Sequence, residues 1–104
     1  MTSAAATNRA HPSDVLASRR EQVKELVRQH KGRAVYVFGS VARGEATLDS
    51  DIDLLVEFEP GTSLFDLAAL QLALVDLLGV DVDVISTGGL NEYHGSIVRD
   101  ARTL

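Results

Sequence analysis

Two short stretches carry the groups that could do chemistry. Asp51 and Asp53 stand two residues apart in the run DIDLLVEF, residues 51–58. In an extended strand, residues i and i+2 project to one face, so both carboxylates point the same way. Like charges held that close repel unless a cation sits between them. Magnesium suits such a pair, because it takes one or two carboxylates and completes its shell with water and substrate phosphates. Two such ions, ~3.5–4 Å apart, would clamp the attacking and leaving oxygens of an in-line displacement. Upstream, after the β-branched and aromatic run 35–38, stands Gly39-Ser40. Glycine permits positive φ and lets a ligand approach the backbone. Ser40 offers a hydroxyl and an amide, and residues 41–43 read as the start of a helix whose free N–H groups attract phosphate. A polyphosphate turn beside paired carboxylates is the equipment of phosphoryl transfer. Arg43 is a candidate to fork onto phosphate oxygens, against a surface pairing with Glu45 or Asp49. Ser50 reads as a turn residue supporting Asp51. An isolated Asp-x-Asp would read as a solvated polar face; the linked glycine turn argues against that.

The elements that position these groups follow from periodicity. Residues 1–12 are small, polar and aperiodic, and are expected to form a mobile tail. Ser13 is expected to cap a helix running to about His30, with Gly32 as its left-handed terminator. Val15, Leu16, Val23, Leu26 and Val27 fall on one side of that helix. Residues 33–38 read as a strand ending at Gly39, and residues 52–58 as a second. Ser63 and Asp66 form a capping box that opens a helix to about Leu78, closed by Gly79. Residues 80–85 read as a third strand, 87–89 as a turn and 91–101 as a final helix. Ile52, Leu54, Val56 and Phe58 oppose Asp51, Asp53 and Glu57; Val80, Val82 and Val84 oppose Asp81 and Asp83. The expectation is one α/β domain over residues 13–104, with helices on the aliphatic face of a small sheet and a polar face left open. Along the helix at 64–78, Leu67, Leu70, Leu74, Leu77 and Leu78 share one broad arc while Phe65 and Leu72 lie elsewhere. Such a helix needs burial on two sides, the second supplied by a partner chain, by self-association or by the final helix.

The string from residue 39 to residue 56, GSVARGEATLDSDIDLLV, resembles the GSxxxGxxxxxSDxDLxV signature of the DNA polymerase β-like nucleotidyltransferases, in particular the minimal nucleotidyltransferase (MNT) group. The resemblance covers about residues 13–104 and is strongest over 38–56. It implies the polymerase β-like fold, and that Gly39 and Ser40 hold the triphosphate of an incoming nucleotide with Gly44 relieving crowding. It implies nucleotide contacts at Arg43 and Ser50, and a third metal-binding carboxylate on the neighbouring strand. That strand offers Asp81 and Asp83; alignment with the family's Val-Asp-aliphatic pattern selects Asp83, as metal ligand and acceptor of the incoming hydroxyl's proton, without removing Asp81. The reaction implied is transfer of AMP from ATP, with Mg2+, to a hydroxyl of a partner. MNT proteins commonly act as antitoxins beside a HEPN-domain ribonuclease toxin, adenylylating a tyrosine. The alternatives are an inert MNT that neutralises its partner by contact, and a small-molecule nucleotidyltransferase, for which 104 residues leave no acceptor-binding domain.

Composition narrows the rest. The chain has no cysteine, which excludes disulfides, zinc–thiolate sites and thiol nucleophiles. Net charge is −5 with no Lys/Arg-rich run, so direct nucleic-acid binding is not expected. No apolar stretch reaches the ~18 residues of a membrane helix, and residues 1–12 lack a signal-peptide core; a cytoplasmic location is the expectation. No GxxxxGK[ST] is present, which excludes a Walker-type ATPase. His11, His30 and His94 lack the spacing of a metal or triad site.

Overall fold

The computed structural model describes residues 11–87 and 101–104. The first helical segment is two helices: α1, Pro12–Ser18, and α2, Arg20–Gln29, separated at Arg19. Its cap is His11, not the expected Ser13. Pro12 occupies the first helical position, where its fixed φ and missing N–H cost nothing, so the capping residue is the one before it. The His11 Nδ1 accepts the Ser13 N–H at 3.1 Å. Arg20, just past the break, donates Nε–H to the Leu104 carbonyl at 3.0 Å. The left-handed residue after α2 is Lys31, φ 70°, and not Gly32. Gly32 begins the strand β1, Gly32–Phe38, where a Cβ would overlap the Val27 side chain. The glycine serves close packing of strand on helix, not helix termination.

After the short helix α3, Gly39–Arg43, come the strand β2, Ile52–Phe58, the helix α4, Leu64–Leu78, and the strands β3, Val82–Ser86, and β4, Arg102–Thr103. The sheet order is β3-β2-β1-β4. β1 pairs antiparallel with β2, β3 parallel with β2, and β4 antiparallel with β1. A parallel neighbour needs a crossover, and α4 supplies it. The capping box at Ser63 and Asp66 forms as expected, and Gly79, φ 70°, ends α4. β3 begins at Val82, two residues later than the expected start, so Asp81 precedes the strand, although its carbonyl accepts the Ile52 N–H at 3.0 Å. β4 was not expected; two residues carry no periodicity. The expected final helix and most of the turn at 87–89 lie outside the described residues.

The core is a sheet-on-helix layer. Val35, Val37, Ile52, Leu54, Val56, Val82 and Val84 from one sheet face meet Leu16, Val23, Val27, Leu70, Leu74 and Leu78 from the helices. This is the aliphatic alternation read from the strands. The opposite face departs from expectation: it is polar at Asp53 and Asp83, but Phe38 and Leu55 are buried on it. Each lies in register with that face, Phe38 opposite Asp53 and Tyr36 opposite Leu55. No helix among the described residues is long and apolar enough to cross a membrane.

Candidate active site

The site forms where β1 turns into α3. Phe38 is extended and Gly39 adopts φ 72°, a conformation that side-chain-bearing residues rarely take. A Cβ at Gly39 would overlap the Asp53 carboxylate at Oδ2. The glycine turn and the acid of β2 are therefore in contact, which the string at 39–56 could only suggest. Ser40 follows in the first turn of α3, and its carbonyl accepts the Glu45 N–H at 2.8 Å. Gly44 closes α3 in the left-handed conformation, φ 73°.

Across the sheet, the β2–β3 register sets Asp53 directly beside Asp83. Adjacent strands lie ~4.8 Å apart, so these two carboxylates share one face as neighbours. Asp51 stands just before β2 and is exposed. Asp53 responds to the crowd: its carboxyl is pushed above the usual range, first by partial burial, then by the charges of Asp83 and Asp51, with Arg43 opposing. Asp53 is thus the centre of the acidic group. Asp81, one residue ahead of β3, is not among the charges that raise Asp53. It lines a cavity of about 370 Å³ with Asp49, Ser50 and Asp51, floored by Gly79 and Val80.

The remaining nucleotide-site candidates have partners of their own. Arg43 donates Nε–H to Glu45 Oε1 at 2.9 Å, the surface pairing weighed from sequence. The Ser50 hydroxyl accepts the Thr47 N–H at 2.8 Å, and its N–H donates to the Thr47 carbonyl at 3.0 Å. Ser50 organises the turn that delivers Asp51. One positioning residue escaped the sequence reading. His11 caps α1 through Nδ1, which leaves Nε2–H to donate to the Ala46 carbonyl at 2.9 Å, tying α1 to the loop between Gly44 and Asp51. The only signal for it was the proline that follows.

The donor set suits a hard divalent cation: carboxylate oxygens, no thiolate, and like-charge crowding at Asp53 that a cation would relieve. Among the described residues no three acidic or histidine side chains already converge as a cage.

Comparison with known proteins identifies the family and the fold. The family described as nucleotidyltransferase domain matches residues 19–102. The protein adenylyltransferase MntA of Thermococcus cleftensis is 45% identical over 67 residues, 64% of this chain and 68% of that protein. A solved structure described as a minimal nucleotidyltransferase superposes with TM-score 0.79 at 50% identity, covering 88% of this chain and 95% of the other. A chain of a solved MntA toxin–antitoxin complex gives TM-score 0.69 at 25% identity, covering 82% and 70%. The chain belongs to the nucleotidyltransferase domain family, in its minimal group with the polymerase β-like fold.

Proposed function

We propose that this nucleotidyltransferase moves AMP from ATP to a tyrosine hydroxyl of a HEPN-domain partner protein and thereby acts as its antitoxin. The observation that carries the reading is the contact between the Gly39 turn and Asp53, with Asp83 in register beside it. A triphosphate seated on Gly39-Ser40 has its α-phosphorus delivered to the carboxylate row. The adenylyltransferase name of the Thermococcus relative and the toxin–antitoxin complex support the substrate class and the partner.

Asp51, Asp53 and Asp83 would hold magnesium, which supplies charge neutralisation at the α-phosphate and pyrophosphate. The partner's hydroxyl oxygen attacks the α-phosphorus, its proton passes to Asp83, and the bond to pyrophosphate breaks as the new P–O bond forms. Arg43, released from Glu45, would meet the departing phosphates. Ser50 holds the turn that presents Asp51.

Incubation with ATP labelled at the α-phosphate, magnesium and a purified HEPN-domain protein tests the reading. The expected result is label on the partner's tyrosine, lost with EDTA and with Asp53→Asn. Neutralisation of the partner with no transfer of label would leave an antitoxin that acts by contact alone.

A further inference from the structure

The outer face of α4 has no role in the chemistry above and is not what an isolated helix should show to water. Phe65 is 87% exposed and Leu72 71%, with Ala68 and Ala69 exposed between them. These are positions i, i+3, i+4 and i+7 of one helix, the spacing by which a helix offers a seam to another helix. The two alanines keep the middle of the seam low, so a partner backbone can come close. The opposite face of α4 is fully engaged, with Leu70, Leu74 and Leu78 buried. Among the described residues the seam is therefore apolar surface that the core does not use.

Charge beside the seam bears on its occupant. Asp66 lies along one flank and holds Lys31 at 3.2 Å. Asp76 is exposed in the last turn, which carries no basic residue, although a helix C-terminus favours cations. At the other end Leu64, 82% exposed, opens onto a depression of about 460 Å³ that also holds Glu57 and Glu59. A second copy would set acid against acid, in a chain of net charge −5. Of the acids beside the seam, Asp66 pairs with Lys31 and Glu57 with Arg33, so Asp76 and Glu59, one toward each end, are the charges that would meet a basic partner.

We propose that the Phe65–Ala68–Ala69–Leu72 seam docks an amphipathic helix of the protein acceptor, one whose apolar stripe is flanked by lysine or arginine. This rests on the reading that the acceptor is a protein, and it places that protein on α4, outside the acidic row.

The test uses the full chain and a fluorescent 20-residue helical peptide with leucines at i, i+3, i+4 and i+7 and lysines on both flanks. A second peptide carries glutamate in place of lysine. Anisotropy is expected to show binding of the lysine peptide, at least ~tenfold weaker binding of the glutamate peptide, and a similar loss with Leu72→Glu. Titration of each protein with AMP-PNP and magnesium should give unchanged nucleotide affinity, showing that the variant is folded. Equal binding of both peptides, equal binding by wild type and Leu72→Glu, or no binding of the lysine peptide overturns the proposal. So does a dimer in sedimentation that Leu72→Glu dissolves, since the face would then belong to a second copy. Should the lysine peptide bind as expected while no HEPN-domain protein is labelled, docking stands and the transfer reading fails. Labelling that proceeds with an unchanged KM in Leu72→Glu leaves transfer standing and removes the dock.

Discussion

The acidic row and the outer face of α4 violate opposite rules of folding. At the row a carboxylate, Asp53, is half withdrawn from water and crowded by Asp83 and Asp51. On α4 a phenyl ring is left almost wholly in water. Each arrangement costs stability in the isolated chain, and each would be relieved by something the chain lacks: a cation and phosphates in one case, another protein in the other. Where local rules and the fold disagree, function is the usual reason. The difference lies in how the two can be tested, since the first governs chemistry and the second only encounter.

The largest expected effect is at the row. Asp53→Asn should take transfer to background while leaving the fold intact, because Asp53 is both the central carboxylate and the group pressed on Gly39. Asp83→Asn should follow with a loss of about 10²–10⁴-fold, the range for a proton acceptor, while Asp81→Asn, outside β3 and not among the charges that raise Asp53, should stay near wild type. Single-turnover assays rank all three. A reversed order for Asp81 and Asp83 would move the third acid out of the sheet register. Gly39→Val should weaken AMP-PNP binding sharply and lower the melting temperature, since φ 72° and the Asp53 carboxylate both reject a β-branched side chain. Calorimetry gives both readouts.

Stability against pH separates the two regions by sign. Asp53 has a raised carboxyl, so its contribution is present below the ordinary carboxylate range and is lost as pH rises through its folded value. Asp66 is lowered, first by the Ser63 backbone N–H and then by Lys31, so its contribution is present above that range and is lost as pH falls through its folded value. Without metal, Asp53→Asn should melt above wild type at pH 7. The gap should close as pH falls through the carboxylate range. Asp66→Asn should melt below wild type at pH 7 and converge with it in acid. Thermal melts from pH 3 to 7 without magnesium follow both curves. A wild type that outlasts Asp53→Asn at pH 7 would mean Asp53 is not crowded.

Much of the row was legible because its signals are local. The two-residue period of β2 fixed which face Asp53 takes, and the Gly39-Ser40 spacing marked the turn. What escaped depends on contacts distant in sequence. The His11 bond to the Ala46 carbonyl spans 35 positions, and the Arg20 bond to Leu104 spans 84. Gly32 was misread because glycine after a helix signals a left-handed cap, and only the packed structure shows that Val27 claims the space of its Cβ. On α4 the sequence marked Phe65 and Leu72 as lying off the main apolar arc; both are exposed, and the final helix weighed as their cover lies outside the described residues.

The smallest expected effect sharpens the comparison most. Within α4, Leu74 is fully buried and Leu72 is 71% exposed, two residues apart on one helix. Leu74→Ala should cost about 2–5 kcal/mol, the range for emptying a packed leucine site, enough to threaten a domain with ~5–15 kcal/mol in total. Leu72→Glu should change stability by no more than ~0.5 kcal/mol, as surface substitutions do, because the side chain stands mostly in water. Urea melts of the two variants give the contrast directly. A large loss in Leu72→Glu would mean that Leu72 is packed within the monomer in solution, and the outer face of α4 would then belong to the fold. A negligible one leaves a leucine that folding does not need, which is how an interface looks in a chain without its partner.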